Sequence, residues 1–283
     1  MKAACCGLDR AKQEHNRQEA VQRGHDIPFE YGVILCALRF ITPGMSDYYE
    51  GLFKAMSFAP PAAVSSMASM EVARMADLFR TDHGLPVVGF DLAGAEAGYP
   101  AVYHKAAFKF AHRTFLGATV HAGEAYGPES IFQAITDCYA QRIGHGTFLF
   151  SADQVTDPDI RDPERYVNDL AEYIARQRIP LEVCITSNLQ TTPSIPDVAS
   201  HPLRRMLEAN LSVSICTDNR LVSNTSVTRE LLLAVDGLGL TPYQLRNIVV
   251  GGFKGSFFPA TYNEKRAYVR RAIDRYDTLE AAL

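Results

Sequence analysis

The chain has 283 residues, 47% of them hydrophobic, with a formal charge of −4 and a pI near 6.1. That length can bury one large core, while the mildly acidic balance offers no basic face for nucleic acid or an anionic membrane. No apolar run reaches the roughly 18 residues of a membrane span, and MKAACCGLDRAKQEHNRQ lacks the apolar centre of a signal peptide, so a cytoplasmic protein with a small-molecule substrate is expected.

In chain order, residues 1–24 are polar and helix-compatible, and the first strand is expected at YGVILCAL (31–38). Helices over 46–57 and 64–81 follow, then strand LPVVGFDLA (85–93), a helix over 101–115 and strand GATVHA (117–122). A helix over 128–140 leads to strand QRIGHG (141–146), and a helix over 163–178 leads to strand LEVCIT (181–186). A helix over 200–209 precedes the last strand, LSVSICT (211–217), and helices near 225–237, 242–255 and 263–279 complete the chain. Asp162-Pro163 and Thr241-Pro242-x-Gln244 carry the N-cap, first-turn proline and capping-box chemistry of helix starts. The six cysteines form no C-x-x-C pair; Cys36, Cys184 and Cys216 lie in apolar runs and are expected as buried reduced thiols. No linker or repeat divides residues 1–283, so one domain is expected.

Apolar strands alternating with helices imply a parallel sheet, either open or closed as a barrel. Asp91 with Gly94, His121, His145 and Asp218 each stand at or just beyond the carboxyl end of a different run. An open sheet gathers such loops only at its switch point, whereas a barrel gathers all of them over one mouth, so an α/β barrel of (β/α)8 TIM type is expected. Within ATVHAGEAYGPES (118–130), His121 and Glu124 stand three residues apart where a strand gives way to a loop. Glu124 by itself reads as a first-turn carboxylate facing the dipole of the helix that starts at Pro128. His104, His112 and His201 read as surface or capping residues.

VVGFDLAGAE, VHAGE, RIGHG, LEVCITSN and SICTDN, in that order and with GGFKGSFFP near the end, resemble the adenosine deaminase family of metal-dependent amidohydrolase barrels over about residues 30–280. The resemblance implies hydrolytic deamination of adenosine, or a related 6-aminopurine nucleoside, to the 6-oxo product and ammonia. His121 and Asp218 would be ligands of one Zn2+, which lowers the pKa of a bound water to roughly 7. His145 would contact that water and stabilise charge at purine C6, Asp218 would also receive the water's proton, and Glu124 would protonate N1, which requires a raised carboxyl pKa. The backbone N–H of Gly94 would meet N3. Asn219 stands where the family places a second aspartate toward N7; its amide N–H can serve there, and a 6-aminodeoxyfutalosine-type substrate becomes an alternative.

The same family begins with a His-x-His strand that supplies two more zinc ligands, and a further strand follows it. Residues 1–30 hold only His15 and His25, so the barrel is expected incomplete by its first two strands, in a sequence that is either a piece of a longer enzyme or an inactive purine-binding relative. Weak zinc binding and little deamination are expected of these 283 residues. Signatures of other classes are absent: H-x-E with P-C-x-x-C, the two glycine-rich nucleotide loops, and G-x-S-x-G.

Overall fold

The computed structural model describes residues 1–282. Helices α1 (Lys2–Asn16) and α2 (Glu19–Gln22) precede strand β1 (Val33–Leu38), which is followed by α3 (Asp47–Ala55) and α4 (Pro61–Thr81). Then come β2 (Val87–Ala93), α5 (Lys105–Arg113), β3 (Gly117–Ala122), α6 (Pro128–Thr136), β4 (Arg142–His145) and α7 (Pro163–Gln177). The chain continues through β5 (Leu181–Val183), α8 (Ile185–Thr191), α9 (Leu203–Glu208), β6 (Val213–Ile215), α10 (Val227–Leu238), α11 (Pro242–Gly255) and α12 (Tyr262–Glu280).

All neighbouring strands are parallel and lie in the order β1-β2-β3-β4-β5-β6, the sequential order of a barrel wall. Among the described residues β1 and β6 each pair on one side only, so the wall stays open. A groove of about 350 Å³ separates these edges, lined by Tyr31, Ile215, Val227, Leu231, Phe253 and Phe257.

Strand side chains alternate between faces, and the register shows what each face does. Leu35, Phe90, Ala118, Val120, Ile143, Leu181 and Val213 follow one another across the sheet, and all are buried under the helices. Helix α4 approaches closely because its packed face is small: Ser65, Ala68, Ser69, Ala73 and Ala76. On α7, Val167, Leu170, Ala171 and Ile174 have the spacing of a single helical stripe, and Asp162 caps its start by accepting the Arg165 N–H.

The opposite face is polar or small: Cys36, Asp91, Thr119, His121, Arg142, Glu182 and Ser214. Arg142 pairs with Glu182 at 2.5 Å. Below them Gly89 and Gly117 leave room for the Phe257 ring, which a Cβ on Gly117 would meet at 2.6 Å, and Arg142 lies over that ring at 3.8 Å. The GGFKGSFFP stretch thus closes the floor of the open barrel.

Three expectations change. LEVCIT was expected to be strand throughout, but β5 ends at Val183 and α8 starts at Ile185. The Glu230 carboxylate, fully buried on α10, accepts the Thr186 N–H and hydroxyl and so holds the first turn of α8 from outside. Cys184 is buried as expected, but Cys36 is exposed and Cys216 half-exposed, because both point to the inner face of a sheet that does not close. Third, His104 and His201 are buried, being 0% and 3% exposed, although His201 accepts the Leu203 N–H at the start of α9 as a capping residue does, and His112 is exposed and stacks on Tyr139.

Candidate active site

The carboxyl ends of β2 to β6 bring the expected residues to one mouth. His121 is the next-to-last residue of β3, and its Nδ1 lies 3.2 Å from Oδ1 and 3.1 Å from Oδ2 of Asp91 on β2. In the neutral ring, donation from Nδ1 to that carboxylate puts the lone pair on Nε2, the tautomer a metal-ligating histidine uses. Burial alone would lower the His121 pKa, but the charge and hydrogen bond of Asp91, with Glu182 and Asp218, raise it to about 9.

His145 ends β4 with its ring 5.2 Å from that of His121. Its φ of +66° is left-handed, which costs a non-glycine residue strain and turns the side chain out of the strand's alternation toward the mouth. Its Nε2 lies 3.5 Å from Glu124 Oε2. The other Glu124 oxygen accepts the Thr191 hydroxyl at 3.3 Å. Burial raises the Glu124 pKa; His121 opposes this and Asp218 reinforces it. Asp218, beyond β6 and also left-handed at φ +52°, accepts from Ser187 Oγ of α8 at 2.7 Å.

The loop that carries Glu124 is held by a residue that none of the expectations above singled out. Glu96, buried, accepts the backbone N–H groups of Gly123, Glu124, Ala125 and Tyr126 at 2.6, 2.9, 2.7 and 3.1 Å, and the Ser130 hydroxyl as well. Arg39, beyond β1 and 1% exposed, lies 4.0 Å from Glu96 and donates to the carbonyls of His121 (2.7 Å) and Tyr99 (2.6 Å). His104 lies between Ser69 Oγ and the Arg39 carbonyl at 2.6 and 3.1 Å. Arg39 and Glu96 therefore grip both ends of the His121–Glu124 segment. Asn188 Nδ2 lies 3.1 Å from His145 Nδ1, and His201 Nε2 lies 3.3 Å from Asn188 Oδ1. Glu96 falls inside VVGFDLAGAE and Asn188 inside LEVCITSN, so the motifs contained both; nothing local marked Arg39 or His201.

Gly94 stands at φ +99°, a conformation natural to glycine. Asn219 is exposed, and its Oδ1 accepts the Val222 N–H at 3.2 Å, which leaves the amide N–H groups as the free donors. For a metal, His121 and Asp218 supply two donors, fewer than a catalytic zinc site uses. Among the described residues no group of three or more His, Cys, Asp or Glu side chains is placed to hold a metal ion. No helix among them is long and apolar enough to cross a membrane.

Comparison with known proteins bears on the family and the fold. The adenosine deaminase family model matches residues 55–275. The chain is 39% identical over 205 residues to adenosine deaminase 1 of Streptomyces coelicolor, which covers 72% of this chain and 49% of that protein. It superposes on the Arabidopsis N6-mAMP deaminase with a TM-score of 0.62 at 26% identity, covering 86% of this chain and 58% of that one. On the Arabidopsis ADAL complexed with IMP the TM-score is 0.63 at 25% identity, over 88% and 61% of the two chains. The chain spans about half the length of the curated relatives it matches. On the family match and that identity, the chain belongs to the adenosine deaminase family.

Proposed function

We propose that this chain carries the purine-binding and proton-handling part of a hydrolytic 6-aminopurine deaminase. The observation that carries the reading is the meeting of His121, His145, Glu124 and Asp218 over one mouth, with the two rings 5.2 Å apart and Glu124 3.5 Å from His145. Glu124, whose raised pKa favours the protonated acid, donates to purine N1 and makes C6 electrophilic. Water adds at C6, Asp218 takes its proton, and His145 stabilises the charge on the adding oxygen. The Gly94 N–H meets N3 and an Asn219 amide N–H meets N7. Asp218 passes its proton to the amino group, the C6–N bond breaks to release ammonia, and the proton left on the added oxygen returns to Glu124, leaving the 6-oxo purine.

Zinc, which family membership implies, would lower the pKa of a bound water. His121 Nε2 and Asp218 are the donors that face it, and they are too few to complete the site, so the proton handling is assigned to the chain's own residues. That donor count favours a second reading, purine binding without turnover. The solved relatives named for N6-mAMP and for an IMP complex extend the substrate class from nucleosides to nucleotides, and 6-aminodeoxyfutalosine stays within it.

The test offers adenosine, AMP, N6-methyl-AMP and 6-aminodeoxyfutalosine with and without added Zn2+, following ammonia or methylamine release and calorimetric binding. Expected are purine binding and low turnover, the latter reduced about 10²- to 10⁴-fold by Glu124→Gln. Binding with no release under any metal supports the second reading. No purine binding, or turnover unchanged in Glu124→Gln, removes the proposal.

A further inference from the structure

We infer that Asn188 and His201 are positioning residues that fix His145 as a hydrogen-bond donor, its proton on Nε2 and facing the mouth. The catalytic meaning of this rests on the deaminase reading; the structural content rests on a chain of hydrogen bonds whose direction can be followed from one end.

The chain starts at the backbone N–H of Leu203, which can only donate, 3.1 Å from His201 Nδ1. Nδ1 therefore carries a lone pair, and the proton of His201 is on Nε2. That Nε2 lies 3.3 Å from Asn188 Oδ1, a donor facing an acceptor. The amide is thereby oriented, with its Nδ2 group 3.1 Å from His145 Nδ1. An amide NH2 only donates, so His145 Nδ1 accepts, and the remaining proton of the neutral ring stands on Nε2, 3.5 Å from Glu124 Oε2. Turning the amide over would set two donors face to face at His201.

Water does not compete for these links, since His145, Asn188 and His201 are 2%, 0% and 3% exposed. Burial also holds His201 neutral by lowering its pKa to about 4. The three residues come from the end of β4, from α8 and from the turn before α9, so the relay exists only in the fold. A base at Nε2 would need the lone pair that this relay denies it. His145 thus enters the reaction by donating to the oxygen that adds at C6, and proton acceptance falls to Asp218.

The experiment is long-range 1H–15N correlation of the imidazoles in the 15N-labelled chain between pH 6 and 8, with the His145 signals assigned from their loss in His145→Gln. A neutral Nε2–H tautomer is expected, and a sole Nδ1–H tautomer overturns the inference. Asn188→Asp replaces the donor with an acceptor for both rings and should move the His145 proton to Nδ1; an unchanged spectrum from a folded variant also overturns it. If that variant does not fold, His201→Phe removes the anchor of the amide, and His145 should then lose its single tautomer; retention of a sole Nε2–H form counts against the relay. In a preparation that deaminates, Asn188→Asp should lower kcat about tenfold or more at little-changed KM. Absence of turnover in the parent chain tells against the deaminase reading alone, because the imidazole spectra need no substrate.

Discussion

A carboxylate that accepts four backbone N–H groups and a hydroxyl does two things, and Glu96 shows both. It satisfies the donors of a turn that would otherwise be stripped of water, and it balances the buried charge of Arg39. Glu96→Ala should destabilise the fold by about 3–5 kcal/mol, since it leaves a buried guanidinium without its partner. Urea unfolding measures this, and amide exchange at residues 123–126 should accelerate in the same variant. The raised pKa of Glu124 carries its own sign: the acid form that the proposed reaction uses is present at low pH and lost as pH rises through that raised value. The alkaline limb of any kcat profile should therefore move to higher pH in Thr191→Val, which removes the hydrogen bond that opposes the shift. Residue identity at this scale was readable for His121, His145, Glu124 and Asp218, because each lies in a short motif. Arg39 and His201 were not, because a buried arginine or histidine looks like any other until its partners from distant segments are known.

Among the elements, the strands were legible to within a few residues, since apolar runs broken by glycine and by cap-bearing helix starts follow from backbone sterics. The miss at α8 has a particular cause. Ile185 and Thr186 extend the apolar run of β5 in β-branched residues, and the local signal favours strand. Glu230, more than forty positions away, supplies the acceptor that the helix's first turn needs, and this outweighs the preference. The Phe257 segment is a second case in which a distant element decides. Its ring fits only because Gly89 and Gly117 lack side chains, and it is partly rather than wholly covered. Phe257→Ala should cost about 2–3 kcal/mol in chemical unfolding. Gly117→Ala should be worse than an ordinary strand substitution, its Cβ meeting the ring at 2.6 Å. A stability within about 0.5 kcal/mol of the parent in both variants would show that the ring does not support the floor.

For the whole molecule, the buried neutral histidines predict acid behaviour. Burial lowers the pKa of His104 and of His201 from 6.5 to about 4. Between those values the unfolded chain binds protons that the folded chain refuses, so the share of stability these two histidines contribute is complete above pH 6.5 and is lost as pH falls toward 4. Each residue contributes up to about 1.4 kcal/mol per pH unit in that window. Melting temperatures measured from pH 4 to 8 should show the slope, and His104→Asn should reduce it. The open wall makes a second prediction at this scale. With His121 and Asp218 as the donors on hand, Zn2+ should bind with a Kd on the order of a micromolar or weaker, and His121→Ala should abolish even that. Calorimetric titration decides it; nanomolar binding to these residues would mean that other side chains complete the site.

The sequence by itself determined the alternation of strand and helix, the parallel barrel wall and the motifs at the strand ends, because these depend on side-chain period and on local backbone chemistry. Only the tertiary structure decided which polar groups share a buried space: the grip of Arg39 and Glu96 on the Glu124 loop, the relay from His201 through Asn188 to His145, and the helix that Glu230 starts. The physical reason is that a hydrogen bond between residues tens of positions apart leaves no periodic trace in the chain. Its value comes from exclusion of water, which exists only once the wall and its helices have packed.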